Sequence, residues 1–226
     1  MQKRGTAVEI LQDHFEKDTD GHFPLDDIFS FDIRPYTDIV RFQPDELILE
    51  EGMQCRSLLY LLDGRAKLFL THENGRISLV NFLAAPCFIG EMEMINAQEN
   101  ASGVKAITVC VCYRIDLDRC RERILNDNRF LRYLCMFLGR KALANTDHYS
   151  KNQSASLNVR LARFILETER GGYYRERHTE TAEYLGVTYR HLLYVLAEFV
   201  REGILEKTPA GYRICDADLL RKIIRE

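Results

Sequence analysis

Short apolar segments alternate with turn residues between positions 34 and 115. Asp63-Gly64 and Asn74-Gly75 each separate two such segments, and both dipeptides favour hairpin turns because their residues tolerate positive φ. The apolar segments occupy residues 47–49, 58–62, 66–70, 77–83, 88–89, 104–108 and 109–115. Short strands at this spacing predict a β-sandwich or β-barrel over residues 35–116.

The pattern is weaker over residues 1–34. The apolar residues Val8, Ile10, Leu11 and Phe15 are compatible with one short helix, and the polar residues 18–22 with a loop. We therefore expect this segment to be a lead helix and loop that precede the barrel.

Beyond Leu117 the apolar period lengthens from two to about three and a half residues. One stripe proceeds in steps of four and three, and it consists of Leu131, Cys135, Leu138, Ala142, Asn145 and Tyr149. We interpret it as one face of a long helix over residues 117–155. A stripe with a polar asparagine is typical of a coiled-coil-like seam, so it predicts a homodimer; packing on the chain's own barrel is the alternative.

A second helical pattern begins at Ser156, which is a suitable N-cap residue. Further along, Thr179 can cap one helix and Thr188 the next, with Gly186 in a turn that requires positive φ. Small Ala182 allows the two helices to approach closely. The second of these helices has an apolar stripe that consists of Leu192, Val195, Leu196 and Phe199. This combination predicts a helix-turn-helix.

The exposed side of that second helix decides its function. Its N-terminal half carries Tyr189, Arg190, His191 and Tyr194 at positions that the period leaves outside. This half of a recognition helix enters the major groove of DNA, where Arg190 is the best candidate for a bidentate contact with guanine. The other three side chains can reach a base edge or a phosphate, and a merely solvated surface is the alternative.

Two short segments, residues 204–207 and 211–214, flank a turn and predict a hairpin directly after the recognition helix. Such a hairpin is a wing, from which Lys207 or Arg213 can contact backbone phosphates. Thr179 and Thr188 complete the predicted DNA-binding surface. The winged helix-turn-helix is expected to occupy residues 156–226.

Charge and hydropathy limit the function classes. With 31 Lys and Arg against 34 Asp and Glu, the net charge is −3, so DNA contacts must come from a local basic patch. The polar N-terminal residues have no apolar leader, and no apolar run is long enough to span a membrane. We expect a cytoplasmic protein that has no membrane partner.

A barrel, a long helix and a winged helix-turn-helix thus follow one another. With the turn glycines Gly52 and Gly64 and the motif Phe88-Ile89-Gly90-Glu91, the sequence resembles the superfamily of the catabolite activator protein and the fumarate-nitrate reduction regulator (CRP/FNR) over about residues 35–215. The runs 85–91, 182–187 and 189–197 are similar to a branch of this superfamily that is associated with nitrogen starvation.

The resemblance implies an α+β fold, in which a cyclic-nucleotide-binding-like jelly roll (a double-stranded β-helix) precedes the dimerisation helix and the winged helix-turn-helix. It implies a homodimeric transcription regulator that binds a two-fold symmetric site on double-stranded DNA and acts with RNA polymerase. The barrel would sense an effector and couple it to DNA through the long helix. The positions by which the family's activator reads DNA fall on Tyr189, Arg190 and Tyr194, so the target sequence should differ.

The resemblance also locates an effector pocket. In the family's cyclic-AMP sensors a Gly-Glu pair binds the ribose and an Arg-Ser pair binds the phosphate. Gly90 and Glu91 match the first pair, but the second falls on Ala101 and Ser102, so the arginine is missing. The remaining pocket candidates are Met92, Asn145 and Thr146. An effector other than cyclic AMP is therefore expected.

The cysteines permit a different input, in which the regulator senses redox state or carries an iron–sulfur cluster. The candidates are Cys87, Cys110, Cys112, Cys120 and Cys135. Oxygen-sensing relatives use an N-terminal cysteine cluster, whereas residues 1–54 here contain no cysteine, and buried thiols are the simpler interpretation. The six histidines lack the spacing of a cupin metal site, so we expect no metal, no cofactor and no enzymatic activity.

Overall fold

The computed structural model describes residues 9–11, 23–72, 75, 77–97 and 101–225. The chain divides into two compact units. The first unit, which contains most of the barrel, comprises residues 1–70 and 81–142, and the second comprises residues 71–80 and 143–226. The domain boundaries expected after residues 34, 116 and 155 stay predictions.

Two sheets form the barrel that the apolar segments predict. The described strands are β1 (Glu9–Leu11), β2 (Thr37–Phe42), β3 (Leu47–Leu49), β4 (Ser57–Asp63), β5 (Arg65–Thr71), β6 (Ile77–Ala84), β7 (Cys87–Ile89), β8 (Gly103–Ala106) and β9 (Cys110–Asp116). One sheet has the order β1-β2-β9-β4-β7 and the other the order β3-β8-β5-β6. Neighbouring strands run antiparallel, for example β4 beside β9 and β5 beside β8.

The Asp63-Gly64 dipeptide does not form the predicted hairpin, because β4 and β5 belong to different sheets. Gly64 has a φ of +105°, and an added Cβ would lie 2.4 Å from the Val109 carbonyl oxygen. The glycine is therefore needed, but the chain uses it to cross from one sheet to the other. At Asn74-Gly75 the strands β5 and β6 are neighbours, and Gly75 has the positive φ (+76°) that the predicted turn requires.

The N-terminal segment differs from its prediction. Residues Glu9–Leu11 form β1 rather than part of a helix, and Ile10 lies opposite Val40 of β2. A sheet edge offers unpaired backbone groups, and pairing with them outweighs a weak helical period. The loop expected at residues 18–22 lies outside the described residues. Single 3-10 turns follow at Pro24–Asp27 and Arg34–Tyr36.

Two helices replace the single one predicted after the barrel, namely α2 (Leu117–Leu125) and α3 (Asn128–Ser154); a one-turn helix, α1 (Glu91–Met94), precedes them. Asp127 lies between them, after Asn126, the C-cap residue of α2, and immediately before α3. Its carboxylate accepts backbone hydrogen bonds from Ser30 (2.7 Å), Arg129 (2.9 Å) and Phe130 (3.4 Å). Asp127 is thus the N-cap of α3, and it also connects α3 to the N-terminal segment through Ser30. The apolar stripe gives no indication of this helix boundary.

Strand β9 is buried on both faces. Cys110 and Cys112 face the barrel interior, whereas Tyr113 and Ile115 belong to a second core outside it. That second core is completed by residues of the N-terminal segment and of α2 and α3, namely Phe23, Leu25, Phe29, Ile33, Ile124, Phe130 and Leu134. The first part of α3 therefore packs on the barrel through an apolar face.

The second unit ends in a winged helix-turn-helix. Its elements are α4 (Leu157–Thr168), β10 (Tyr173–Tyr174), α5 (His178–Tyr184), α6 (Tyr189–Arg201), β11 (Leu205–Thr208), β12 (Gly211–Ile214) and α7 (Ala217–Arg225). As predicted, Ser156 caps α4, since its Oγ accepts a hydrogen bond from the Val159 N–H (3.4 Å). The predicted hairpin is the pair β11–β12, which β10 extends. Helix α7, which the sequence analysis missed, packs on α4 and buries Leu220.

The search for membrane spans, over the residues the structure describes, finds no helix with the length and apolar character that a bilayer requires.

Replacing Asp127 by Ala should lower the free energy of unfolding by about 1–2 kcal/mol, because several buried N–H groups lose their acceptor. Urea unfolding near neutral pH measures this. Asp118→Ala is a matched control, since its carboxylate is 58% exposed and pairs with Arg56 at the surface. The control should change the free energy by less than about 0.5 kcal/mol. Equal effects of the two substitutions would contradict the assignment.

The same carboxylate predicts a pH dependence. Burial opposes ionisation of Asp127, but the hydrogen bonds from Ser30, Arg129 and Phe130 lower its pKa below the ordinary value of 3.8. Its stabilisation is therefore complete above that value and is lost as the pH falls through the lower pKa of the folded state. Wild type should lose more stability than Asp127→Ala when the pH is lowered from about 5 to about 2.5.

Candidate functional site

Helices α5 and α6 meet at the tight turn that the sequence predicts. Gly186 has a φ of +64°, and the Val187 N–H donates a hydrogen bond to the Ala182 carbonyl (2.9 Å). Ala182 and Leu185 of this region are buried. The predicted apolar stripe of α6 is also buried, and it consists of Leu192, Val195, Leu196 and Phe199. The rotation of α6 about its axis is fixed by this burial.

The two helix caps have different outcomes. Thr188 caps α6 as predicted, because its Oγ1 accepts a hydrogen bond from the backbone N–H of His191 (3.2 Å). The cap predicted at Thr179 is wrong. Helix α5 begins two residues earlier than a cap at Thr179 requires, at His178 after the N-cap residue Arg177, and it has no side-chain cap. Thr179 instead lies exposed in the first turn of α5.

The N-terminal half of α6 presents the predicted set of side chains to solvent. Arg190 and His191 are exposed, and Tyr189 and Tyr194 are exposed by 49% and 60%. Within the described part of the chain, Arg190 has no ion-pair partner. Its guanidinium therefore keeps its full set of donors for an external acceptor.

The two wing residues differ in their surroundings. Lys207 on β11 is exposed. Arg213 lies opposite Glu206 in the hairpin, and its Nε donates to the Glu206 carboxylate at 2.8 Å. A phosphate contact by Arg213 would have to compete with this ion pair, whereas Lys207 presents its charge directly.

An aromatic cluster below this face was not predicted from the sequence. The His178 ring stacks on Tyr174 with centroids 6.2 Å apart, and it lies 5.7 Å from Tyr212 and 6.4 Å from Tyr189. The buried Tyr174 is held by a hydrogen bond between its hydroxyl and Thr181 Oγ1 (2.8 Å). The cluster joins the first residues of α5 and α6 to the wing. The spacing of these four residues in the sequence gives no periodic signal.

Replacing His178 by Phe should make the protein less sensitive to acid. Burial and the charge of Lys207 lower the pKa of His178 below its ordinary value of 6.5. The unfolded chain therefore binds this proton first as the pH falls. The stability that His178 contributes is complete above about pH 6.5 and is lost as the pH falls through its folded-state pKa.

Denaturant unfolding at about pH 7.5 and about pH 5.5 measures this difference. The loss of stability between the two should be smaller in His178→Phe than in wild type. His191→Phe, at an exposed histidine of the same unit, is the control and should keep the wild-type difference. If His178→Phe were as acid-sensitive as wild type, the assignment would be wrong.

In the barrel, the predicted pocket residues of the first unit lie around α1. Gly90 has a φ of +91°, and a Cβ there would lie 2.8 Å from Cys55 Sγ, so only glycine fits. The Glu91 side chain is 3% exposed and pairs with Lys141 Nζ of α3 at 2.6 Å. Met92 is half-buried, and Ser102 is buried.

Asn145 and Thr146, the other two pocket candidates, belong to the second unit. Their contribution to a pocket stays a prediction. Lys141 is not predictable from the sequence, because its position on the long helix gives no indication that it reaches Glu91.

Ala101, the position of the missing arginine, lies two residues before β8 begins, and the basic residue of β8 is Lys105. Ala101 is buried, and Val104 packs in the barrel interior. Because side chains alternate along a strand, Lys105 lies on the other face of β8. Its ammonium lies 6.0 Å from the centroid of the Phe69 ring. Lys105 therefore does not replace the arginine that a cyclic phosphate would need.

The predicted dimer stripe on α3 is divided between two environments. Leu131 and Leu138 are half-buried against the second core, outside the barrel interior, which corresponds to the alternative interpretation that the stripe packs on the chain's own barrel. Cys135 and Ala142 are exposed, and Asn145 is half-buried; the Tyr149 side chain lies outside the described set. The seam as a whole stays a prediction. The exposed apolar side chains of α3 include Met136 (53%) and Leu143 (73%).

Most of the candidate cysteines are in apolar surroundings. Burial raises the pKa of Cys87 to about 12 and those of Cys110 and Cys120 to about 11, and it also raises the pKa of Cys112. These thiols are therefore protonated and weakly reactive. Cys135, by contrast, is exposed. Among the residues that the structure describes, no cluster of His, Cys, Asp and Glu has the composition of a metal site.

Two family models match the chain. Residues 39–127 match the model described as the cyclic nucleotide-binding domain, and residues 159–223 match the Crp-like helix-turn-helix domain. The chain is also 46% identical over 188 residues to the Regulatory protein YeiL of Escherichia coli O157:H7, and the match covers 83% of this chain and 86% of that protein.

Solved structures share the fold at low identity. A transcriptional regulator of the CRP/FNR family from Eubacterium rectale superimposes with a TM-score of 0.69 at 17% identity, over 86% of this chain and 92% of that one. A CRP/FNR family regulator from Thermus thermophilus superimposes with a TM-score of 0.64 at 20% identity, over 83% of this chain and 98% of that one. The predicted fold class is thereby confirmed.

Proposed function

The chain belongs to the CRP/FNR family of transcription regulators, and we propose that it binds a two-fold symmetric DNA site as a homodimer. The observation that carries this proposal is the exposed N-terminal half of α6, with Arg190 free of an ion pair among the described residues. The family consists of regulators rather than enzymes. A Crp-like helix-turn-helix implies DNA binding.

On this proposal, α6 lies in the major groove and Arg190 donates two hydrogen bonds to one guanine. Tyr189, His191 and Tyr194 contact neighbouring base edges or phosphates. Lys207 binds a backbone phosphate from the wing, and Arg213 does so once its pair with Glu206 opens. Thr179 and Thr188 lie at the N-terminal ends of α5 and α6, where backbone N–H groups favour phosphate.

Replacing Arg190 by Ala should weaken binding to a selected site by about 1–3 kcal/mol, or about 5- to 150-fold, and relax specificity at one base of each half-site. Binding to unrelated duplex should change little. The measurement is titration of the selected and a scrambled duplex at fixed salt. Arg201→Ala is the matched control, because Arg201 lies at the other end of α6 and pairs with Glu198.

If Arg190→Ala weakened binding to the selected and scrambled duplexes equally, Arg190 would contact phosphate rather than a base. An equal loss in Arg201→Ala would argue that the effect is not specific to the N-terminal half of α6.

The dimer proposal is supported by the exposed apolar side chains of α3. Met136 and Leu143 lie two turns apart, and Gly139 between them has open space where a Cβ would be. Large apolar side chains are costly to leave in water, and small residues between them let two helices approach. We propose that α3 pairs with its copy along this face, together with Cys135, Ala142, Asn145 and Tyr149.

Replacing Leu143 by Glu should convert the dimer to a monomer, because the charge would be buried in the seam. Sedimentation velocity at micromolar concentration measures the change. Met53→Glu is the control, since Met53 is 57% exposed and lies outside α3. An unchanged dimer in Leu143→Glu would place the interface on another surface.

The effector that the barrel senses and the protein's partners in the cell complete the proposal. We propose a barrel that responds to a small molecule other than cyclic AMP, because Ala101 removes the phosphate ligand and Lys105 does not replace it. The high pKa values of the buried thiols make redox or iron–sulfur sensing the weaker alternative. A DNA-binding regulator of this kind would act in the cytoplasm with RNA polymerase. The runs 85–91, 182–187 and 189–197 support its assignment to the nitrogen-starvation branch.

A further inference from the structure

Among the described ion pairs of the barrel, the Glu91 carboxylate is the most deeply buried charge. Its side chain is 3% exposed, and its Oε1 lies 2.6 Å from Lys141 Nζ, which is itself 29% exposed. A carboxylate buried to this degree requires a cation or several hydrogen-bond donors. Lys141 is the ion-pair partner of Glu91 among the described residues.

Lys141 comes from the place where α3 leaves the barrel. The helix packs on the barrel through Phe88, whose ring contacts Phe130, Tyr133 and Phe137 at centroid distances of 5.9, 6.0 and 6.1 Å. Lys141 follows Phe137 by one helical turn. The barrel unit ends at the next residue, Ala142. The Lys141 ammonium therefore compensates the buried Glu91 charge where α3 packs on the barrel, immediately before the chain passes into the second unit.

The charges around this pair make Lys141 necessary. Burial, together with the charge of Glu91, raises the pKa of Glu93, and burial raises that of Cys87 to about 12, with Glu91 adding to the effect. The surroundings are thus acidic as well as apolar. Without Lys141, the buried Glu91 carboxylate would lose the positive charge that compensates it. Conformations that expose this carboxylate to water would then be favoured.

We propose that Lys141 replaces an effector at Glu91: its ammonium neutralises the buried carboxylate, so that α3 stays packed on the barrel with no small molecule bound, and it occupies the carboxylate that a hydroxyl-bearing ligand would need. This inference rests on the proposed DNA-binding function. The protein then binds DNA in the ligand-free state. A small molecule that engages Glu91 has to displace Lys141, so it weakens DNA binding rather than establishing it.

The test uses the full-length protein without added ligand and three variants: Lys141→Met, Glu91→Gln and the double variant. Lys141→Met leaves an unpaired buried charge, so its affinity for the selected DNA site should fall tenfold or more. In the double variant both partners are neutral, so affinity should recover to within about threefold of Glu91→Gln. Arg140→Met, at the exposed neighbouring cation of α3, is the control and should bind as wild type does.

Hydrogen exchange of the backbone amides of residues 128–142 provides the second measurement. Lys141→Met should lose protection there, and the double variant should regain it, even if neither binds DNA. Wild-type affinity in Lys141→Met, or a double variant no better than Lys141→Met in both measurements, would overturn the inference. Wild type could select no DNA site while protection of residues 128–142 is lost in Lys141→Met and regained in the double variant. The proposed DNA-binding function would then be wrong, but the role of Lys141 in keeping α3 on the barrel would be supported.

Discussion

The packing of one buried phenylalanine, Phe88, organises the first unit. Its ring lies edge-on to four aromatic rings, one from strand β4 and three from helix α3, namely Tyr60, Phe130, Tyr133 and Phe137. Aromatic pairs of this geometry add to the stabilisation from burial and specify orientation. With this face of α3 committed to the barrel, Lys141 meets Glu91 on one side and Met136 remains exposed on the other. The coupling and dimer proposals both depend on that orientation.

The DNA-binding proposal depends on a corresponding constraint in the second unit. Because four apolar residues of α6 are buried, Arg190 and its neighbours are forced outward at the helix N-terminus. The turn at Gly186 and the cap at Thr188 fix where the helix begins. The cluster around His178 then connects the wing to the same end of α6. The N-terminal half of α6 and the wing are thus held together by packing rather than by charge.

Local patterns in the sequence predict most of the fold. They fail where contacts between residues distant in sequence determine the structure. Seven strands, the cap at Ser156, the glycine turn at Gly186 and the wing follow from alternation, capping residues and turn dipeptides. The strand at Glu9–Leu11 could not be predicted, because its structure depends on pairing with β2, which is distant in sequence. For the same reason the local pattern predicts a hairpin at Gly64, whereas this glycine connects two sheets. Lys141 carries no local signal, since only the folded helix brings it to Glu91.

Selection from a random duplex library with the ligand-free protein tests most directly whether this chain binds a two-fold symmetric DNA site as a dimer. We expect enrichment of two inverted half-sites whose centres are about one helical turn, or about 10 base pairs, apart. We also expect a guanine at a fixed position in each half-site. Enrichment of no sequence at moderate salt, or of a site without two-fold symmetry, would contradict this proposal.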